Sequence, residues 1–155
     1  MQADRDSTLE RVRRSLEDFI AALKQVAPDR FLKPAVGEWS PRDVAAHIIG
    51  WLRLTIAGCE DLSRGVTPPY FADGKNDFAN VNARLVGENP SRDRDEVVRG
   101  LRDSFAELVS YARALPPQAW EAQTGLLYIG RPVTIASSVA VLAHDIDAHR
   151  KELGA

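Results

Sequence analysis

Apolar positions along the chain fall into four runs spaced by threes and fours, the period of one face of an α-helix. In the first run Leu9, Val12, Leu16, Phe19, Leu23 and Val26 form the stripe. S-T-L-E at Ser7 reads as a capping box with Glu10 at the third helical position, so the helix is expected to start there and to stop at Pro28. The second run is expected to begin at Ser40. Pro41 stands at the first helical position, where its missing N–H costs nothing, and Asp43 sits in the first turn. Val44, Ile48, Trp51, Thr55 and Leu62 mark the buried face, and Gly65 with Pro68-Pro69 ends it. The third run starts near Ser91, favoured by Asp93, Asp95 and Glu96, and follows Val97, Leu101, Phe105, Leu108, Ala112 and Leu115 to Pro116-Pro117. The fourth starts between Pro132 and Thr134. Ile135, Val139, Leu142, Ile146, His149 and Leu153 carry it, and Gly154 stops it.

Residues 64–90 form a long connection between the second and third runs. A short helix is expected over 77–86, with Phe78, Val81 and Leu85 inward. Residues 118–131 have no clear period, and Tyr128-Ile129-Gly130 reads as extended or as a turn. No set of alternating strands stands out. The expected architecture is all-α, a four-helix bundle with one long crossover.

Composition narrows the function. A chain of 155 residues, 45% hydrophobic and 27% charged, suits one soluble domain over residues 1–155. A net charge of −2 gives no reason to expect nucleic acid or an anionic membrane as partner. Cys59 is the single cysteine, so no internal disulfide forms, which points to the cytoplasm. The N-terminus has mixed charges and no apolar core of a signal peptide. The apolar stretch at 133–143 is shorter than the about 20 residues a bilayer span needs.

The chemistry concentrates at residues 142–153, LAHDIDAHRKEL, where His144 and His149 stand five apart. An α-helix turns about 100° per residue, so with His149 at 0° the apolar stripe falls between about 20° and 80°. Asp145 then lies at about −40°, on the same flank, and His144 at about −140°, toward solvent. The pair with helical i, i+4 geometry is therefore Asp145 and His149. Such a pair can share a metal ion or simply hydrogen-bond. On the second helix, in GEWSPRDVAAHIIGW, His47 shares a face with Val44, Trp51 and Leu54 and must lean inward. Alone it reads as a core histidine with a satisfied hydrogen bond. Two inward histidines from different helices are costly to bury unless they satisfy each other or a ligand. His47 is early in its helix and His149 late, so they come level only if those helices run antiparallel. An up-down-down-up bundle does this, and the long crossover permits it.

W-S-P-R-D-V-A-A-H-I-I-G-W resembles the second-helix signature of the DinB/YfiT-like superfamily of metal-binding four-helix bundles. D-I-D-A-H-R-K-E-L resembles that superfamily's fourth-helix H-x-x-x-H. F-A-N-V-N-A-R-L-V and L-P-P-Q-A-W are similar to the ClbS/DfsB branch and to mycothiol-dependent maleylpyruvate isomerase N-terminal domains. The resemblance covers essentially the whole chain. It implies an up-down-down-up bundle, often a homodimer, with three ligands, normally histidines, holding a divalent metal such as zinc or nickel. Carried over, the ligands are His47 and His149, with Asp145 where the family has a histidine. The other register would use His144 and put Ala148 in the second place, and it turns His144 to solvent. Two histidines and a carboxylate form a recognised facial set with open positions.

What the resemblance implies is a nucleophile, water or a low-molecular-weight thiol, activated against an electrophilic small molecule. The expected enzyme is thus a thiol S-transferase or a hydrolase in detoxification. Trp39, Trp51, Tyr70, Asn82 and Tyr128 are candidates for shaping the mouth, although tryptophans at helical spacing are more often core. Cys59 reads as a packed small residue. Two other readings compete: a metal-free binding or self-protection protein using the same pocket, and a plain dimerisation module in which the three polar residues never meet.

Overall fold

The computed structural model describes residues 2–71 and 78–154. Four long helices carry the fold: α1 (Gln2–Gln25), α2 (Pro41–Ser63), α4 (Arg94–Ala114) and α6 (Ile135–Glu152). Two short ones join them, α3 (Ala79–Gly87) and α5 (Pro117–Trp120), with single 3₁₀ turns at Pro28–Arg30 and Pro69–Phe71. The sheet among the described residues is one hairpin of β1 (Leu127–Tyr128) and β2 (Arg131–Pro132).

Side-chain contacts fix the helix directions. Arg5, near the start of α1, reaches the Ala112 carbonyl near the end of α4 at 2.9 Å. Arg94 at the start of α4 reaches Lys24 O near the end of α1 at 2.8 Å. Helices α1 and α4 are therefore antiparallel, and each arginine donates to carbonyls at the partner helix's C-terminal end. Gly100 of α4 lies against Ile49 of α2, and Glu107 further along bonds Arg53 at 3.2 Å, so α2 and α4 run parallel. His47 and His149 meet from the start of α2 and the end of α6, so those two are antiparallel. The result is the expected up-down-down-up bundle. Its core joins Val12, Phe19, Leu23, Val44, Leu52, Leu101, Leu108, Val139 and Ile146 from all four long helices. Among the described residues no helix is long and apolar enough to cross a membrane.

Helix starts follow local chemistry, with α1 the exception. Ser40 caps α2 and Thr134 caps α6, each in a reciprocal box with the third helical residue. Helix α4 begins at Arg94 on an Asp93 cap rather than at Ser91, because the Asp93 carboxylate takes the Glu96 amide. Helix α1 begins at Gln2, not Ser7. Its extra turn is rewarded by contacts that sequence spacing does not show: Arg5 with α4, and Asp4 with the indole of Trp120. The short helix in the crossover runs from Ala79, with Phe78 as its cap residue, and Asp77 lies outside the described residues. Leu85 seats this helix on α2. A Cβ on Gly50 would come 2.7 Å from the Leu85 Cβ, so only glycine permits that approach. The hairpin turns through Ile129 (φ 51°) and Gly130 (φ 73°), both left-handed, as a two-residue turn of this kind needs. Isoleucine is an expensive choice there, and its side chain is 75% exposed.

Candidate functional site

The start of α2 is held from several sides. The Ser40 amide donates to the Asp43 carboxylate at 3.0 Å, and the Asp43 amide donates to the Ser40 hydroxyl at 3.1 Å. Burial alone would raise the Asp43 carboxyl, but the Ser40 amide, the Arg42 guanidinium and the Ser40 hydroxyl outweigh it and hold it below the usual range. Arg42 also donates to the Ser91 carbonyl at 2.7 Å, tying the segment before α4 to the same spot. Just upstream, a tight turn pairs Val36 with Trp39 around Gly37 (φ 60°) and lays the Trp39 ring 5.1 Å from the His47 ring.

His47 follows on the second turn of α2, 8% exposed. Its ring stands 4.7 Å from that of His149, centre to centre, nearly perpendicular to it. Burial, and then the neighbouring His149, push the His47 pKa down to about 4, so the ring is neutral near pH 7. Its Nδ1 is buried without a hydrogen-bond partner. Among the described residues three other buried polar atoms share that lack: Arg5 Nε, Arg150 Nε and the Tyr111 hydroxyl. Of the four, only His47 Nδ1 belongs to a ring that meets a second imidazole.

His149 lies in the last turn of α6, its side chain 19% exposed, with Nδ1 2.8 Å from a Glu152 carboxylate oxygen. Glu152 was not singled out from the sequence. The signal was there, since it stands three residues after His149 on the same helix flank. Asp145 stands one turn before His149. It is exposed as a residue, yet loss of water around its carboxyl raises the pKa, which His144 and His149 partly offset. His144 is exposed, on the far side, as the helical angle requires. The structure thus brings His47 and His149 together. Among the described residues no three His, Cys, Asp or Glu side chains gather closely enough to hold an ion, so the Asp145 carboxyl is not drawn in with the pair.

Aromatic rings surround the histidines on one side. Trp51 meets His47 at 6.4 Å, Tyr70 at 5.4 Å and Phe78 at 5.7 Å. Tyr128 of the hairpin closes the set against Phe71 at 5.2 Å and Phe78 at 6.4 Å. The Trp51 indole donates to Asn82 of α3 at 2.7 Å. All five residues expected to shape a mouth are present in this cluster, joined by Phe71 and Phe78. Their rings are half-buried. Gly58 of α2 makes room for the Tyr70 hydroxyl, which a Cβ would displace. Cys59 is fully buried, and burial with Glu60 nearby pushes its thiol up to about 12, so it is no nucleophile. A recess of about 520 Å³ lies to one side, between α2 and α3, lined by Ile49, Gly50, Leu54 and Leu85 with Arg53 and Arg84 at its walls. Neither histidine lines it.

The family model of the mycothiol maleylpyruvate isomerase N-terminal domain matches residues 9–154. No curated protein matches the chain. Solved structures share the fold, among them two. One is an uncharacterised protein from Escherichia coli UTI89, 13% identical, with a TM-score of 0.74 over 97% of this chain and 90% of the other. The second is the colibactin self-resistance protein ClbS in complex with a dsDNA, 11% identical, with a TM-score of 0.74 over 97% of this chain and 93% of the other. The latter corrects the exclusion of nucleic acid drawn from net charge: a chain of this fold is found on duplex DNA. A sum of −2 over the whole chain says little about one face, because phosphates respond to local groups of arginines.

Proposed function

The chain belongs to the mycothiol maleylpyruvate isomerase N-terminal domain family, and from that premise we propose that it holds a divalent metal ion, zinc or nickel, at His47, His149 and Asp145, and acts on a small electrophilic molecule as a thiol S-transferase or hydrolase. The observation that carries this reading is the meeting of two imidazoles from α2 and α6 at 4.7 Å. Two of the three donors fit the group. His47 is neutral, the form that ligates, and its buried Nδ1 lacks a partner. His149 keeps Nε2 free because Glu152 occupies Nδ1. Asp145 completes the set by a rotamer change that turns its carboxyl to the pair from one helical turn away. Its raised pKa, from lost hydration, is what proximity to a cation would reverse.

When bound, such an ion would supply an acidified water or low-molecular-weight thiol as nucleophile near neutral pH. The chain's own groups do the rest. Trp39, Trp51, Phe78 and Tyr128 keep bulk water from one side and offer ring faces to an apolar substrate body. The Asn82 carboxamide fixes the Trp51 indole and so the edge of that wall.

The test is metal content of protein purified without a histidine tag. About one equivalent is expected, falling at least tenfold in both His47→Ala and His149→Ala. Less than about a tenth of an equivalent in the unaltered chain, with no uptake on adding zinc or nickel, overturns the reading.

A second reading is a metal-free binding or self-protection protein. It is favoured by the absence of a gathered third donor among the described residues. Ligand binding that survives both chelation and His47→Ala would select it. The dsDNA held by ClbS extends this reading to a duplex partner. Arg53 and Arg84, both half-exposed, are where phosphates would be met. Binding to a short duplex that weakens steeply with salt, and again in the double Arg53→Gln, Arg84→Gln variant, would support that extension.

A further inference from the structure

We infer that Glu152 is a positioning residue that decides which nitrogen His149 offers to the site. An ionised carboxylate can only accept a hydrogen bond. A neutral imidazole carries one N–H. With Glu152 Oε2 2.8 Å from Nδ1, the proton sits on Nδ1, and Nε2 is left with its lone pair free. The same bond fixes the ring's rotation, which sets the near-perpendicular approach of 77° to His47.

The last turn of α6 is built to keep Glu152 in place. The Leu153 amide donates to the Arg150 carbonyl at 3.1 Å, and the Gly154 amide to the Lys151 carbonyl at 3.2 Å. Gly154 takes a left-handed φ of 76°, which ends the helix just beyond Glu152. The bond is only half-buried: the Glu152 side chain is 40% exposed, so its remaining lone pairs stay hydrated while one oxygen holds the ring. Without this acceptor nothing holds the proton on Nδ1, and the ring samples both tautomers and more than one rotation. A carboxylate behind a ligating imidazole is worth about 10- to 100-fold in metal affinity. That consequence rests on the metal reading above, whereas the tautomer does not.

The experiment has two arms on the same purified chain. In the first, the metal-free protein labelled with ¹⁵N is held above about pH 8, where imidazole is neutral, and long-range ¹H–¹⁵N correlations report which His149 nitrogen carries the proton. The expected result is a single Nδ1–H tautomer in the unaltered chain and in Glu152→Gln, whose amide oxygen still accepts, and a mixture in Glu152→Ala. In the second, zinc affinity is measured by competition with a chelating dye. It should drop about 10- to 100-fold in Glu152→Ala with unchanged stoichiometry, and less in Glu152→Gln. An unmoved tautomer in Glu152→Ala overturns the inference. A mixed tautomer with unchanged zinc affinity supports the role of Glu152 in setting the tautomer and overturns its consequence for the metal. If the unaltered chain takes up no zinc, the metal reading falls, and the first arm still decides the role of Glu152.

Discussion

The two ends of the bundle use the same side-chain types for opposite purposes. At one end Trp120 is completely buried, and its indole N–H reaches the Asp4 carboxylate at 3.3 Å. Beside it Arg5, 4% exposed, donates to the Ala112 and Leu115 carbonyls at 2.9 and 3.0 Å. At the other end Trp51 also bonds a side-chain oxygen, that of Asn82, yet its ring is left half-exposed among other half-exposed rings. His47, buried there, carries no charge and keeps Nδ1 unpartnered. The Trp120 end spends its aromatic ring and its cation on closing the fold. The histidine end is held by caps and ties around it, and its rings and nitrogens are not consumed by one another. That contrast is what separates a plug from a candidate site.

The largest expected effect tests the plug. Trp120→Ala should lower stability by about 3–5 kcal/mol in chemical denaturation, as for other buried aromatics. Zinc binding to the folded fraction should be unchanged, and a matching loss there would break the separation of the two ends. Next comes acid. His47 titrates near 6.5 when unfolded and at about 4 when folded, so the unfolded chain binds the extra proton first. Stability of the metal-free protein should therefore fall as pH drops from about 6.5 to about 4, by roughly 3 kcal/mol from this group, and His47→Gln should flatten that slope. Zinc at about 100 times its dissociation constant should add about 2.7 kcal/mol to the unaltered chain. His149→Ala should lose that increment, and a full increment without His149 would move the site elsewhere. The smallest effect is the sharpest on register: His144→Ala should change stability by less than about 0.5 kcal/mol and leave zinc affinity as it was.

Much of this contrast was legible in the sequence, and unevenly so. The histidine end could be read because helical phase alone sorts His149 from His144, and because only an antiparallel α2 and α6 bring His47 level. The five ring and amide residues of the mouth stand near those helices, in the crossover or in the hairpin, and were named from residue type. The plug was hidden. Trp120 sits in a four-residue helix with no period to detect, and its partner Asp4, like Arg5, which bonds the end of α4, precedes the apparent capping box at Ser7. A capping box satisfies local amides, but the long-range bonds of Arg5 outweigh it, so the helix continues upstream and Ser7 becomes an ordinary interior residue. Glu152 does not stand out in the sequence, because an exposed glutamate in a last helical turn reads the same whether or not it bonds a ring. The guess that nucleic acid is excluded failed for another reason: net charge is a sum, and binding is local.

The antiparallel run of α2 against α6 has one more consequence. The imidazoles that meet belong to residues 47 and 149, separated along the polypeptide by α3, α4 and α5, and α6 must be docked on α2 before they can touch. If a coloured transition-metal probe binds there, its visible band would therefore report the docking of α6 on α2 and stay dark in forms in which those two helices are apart.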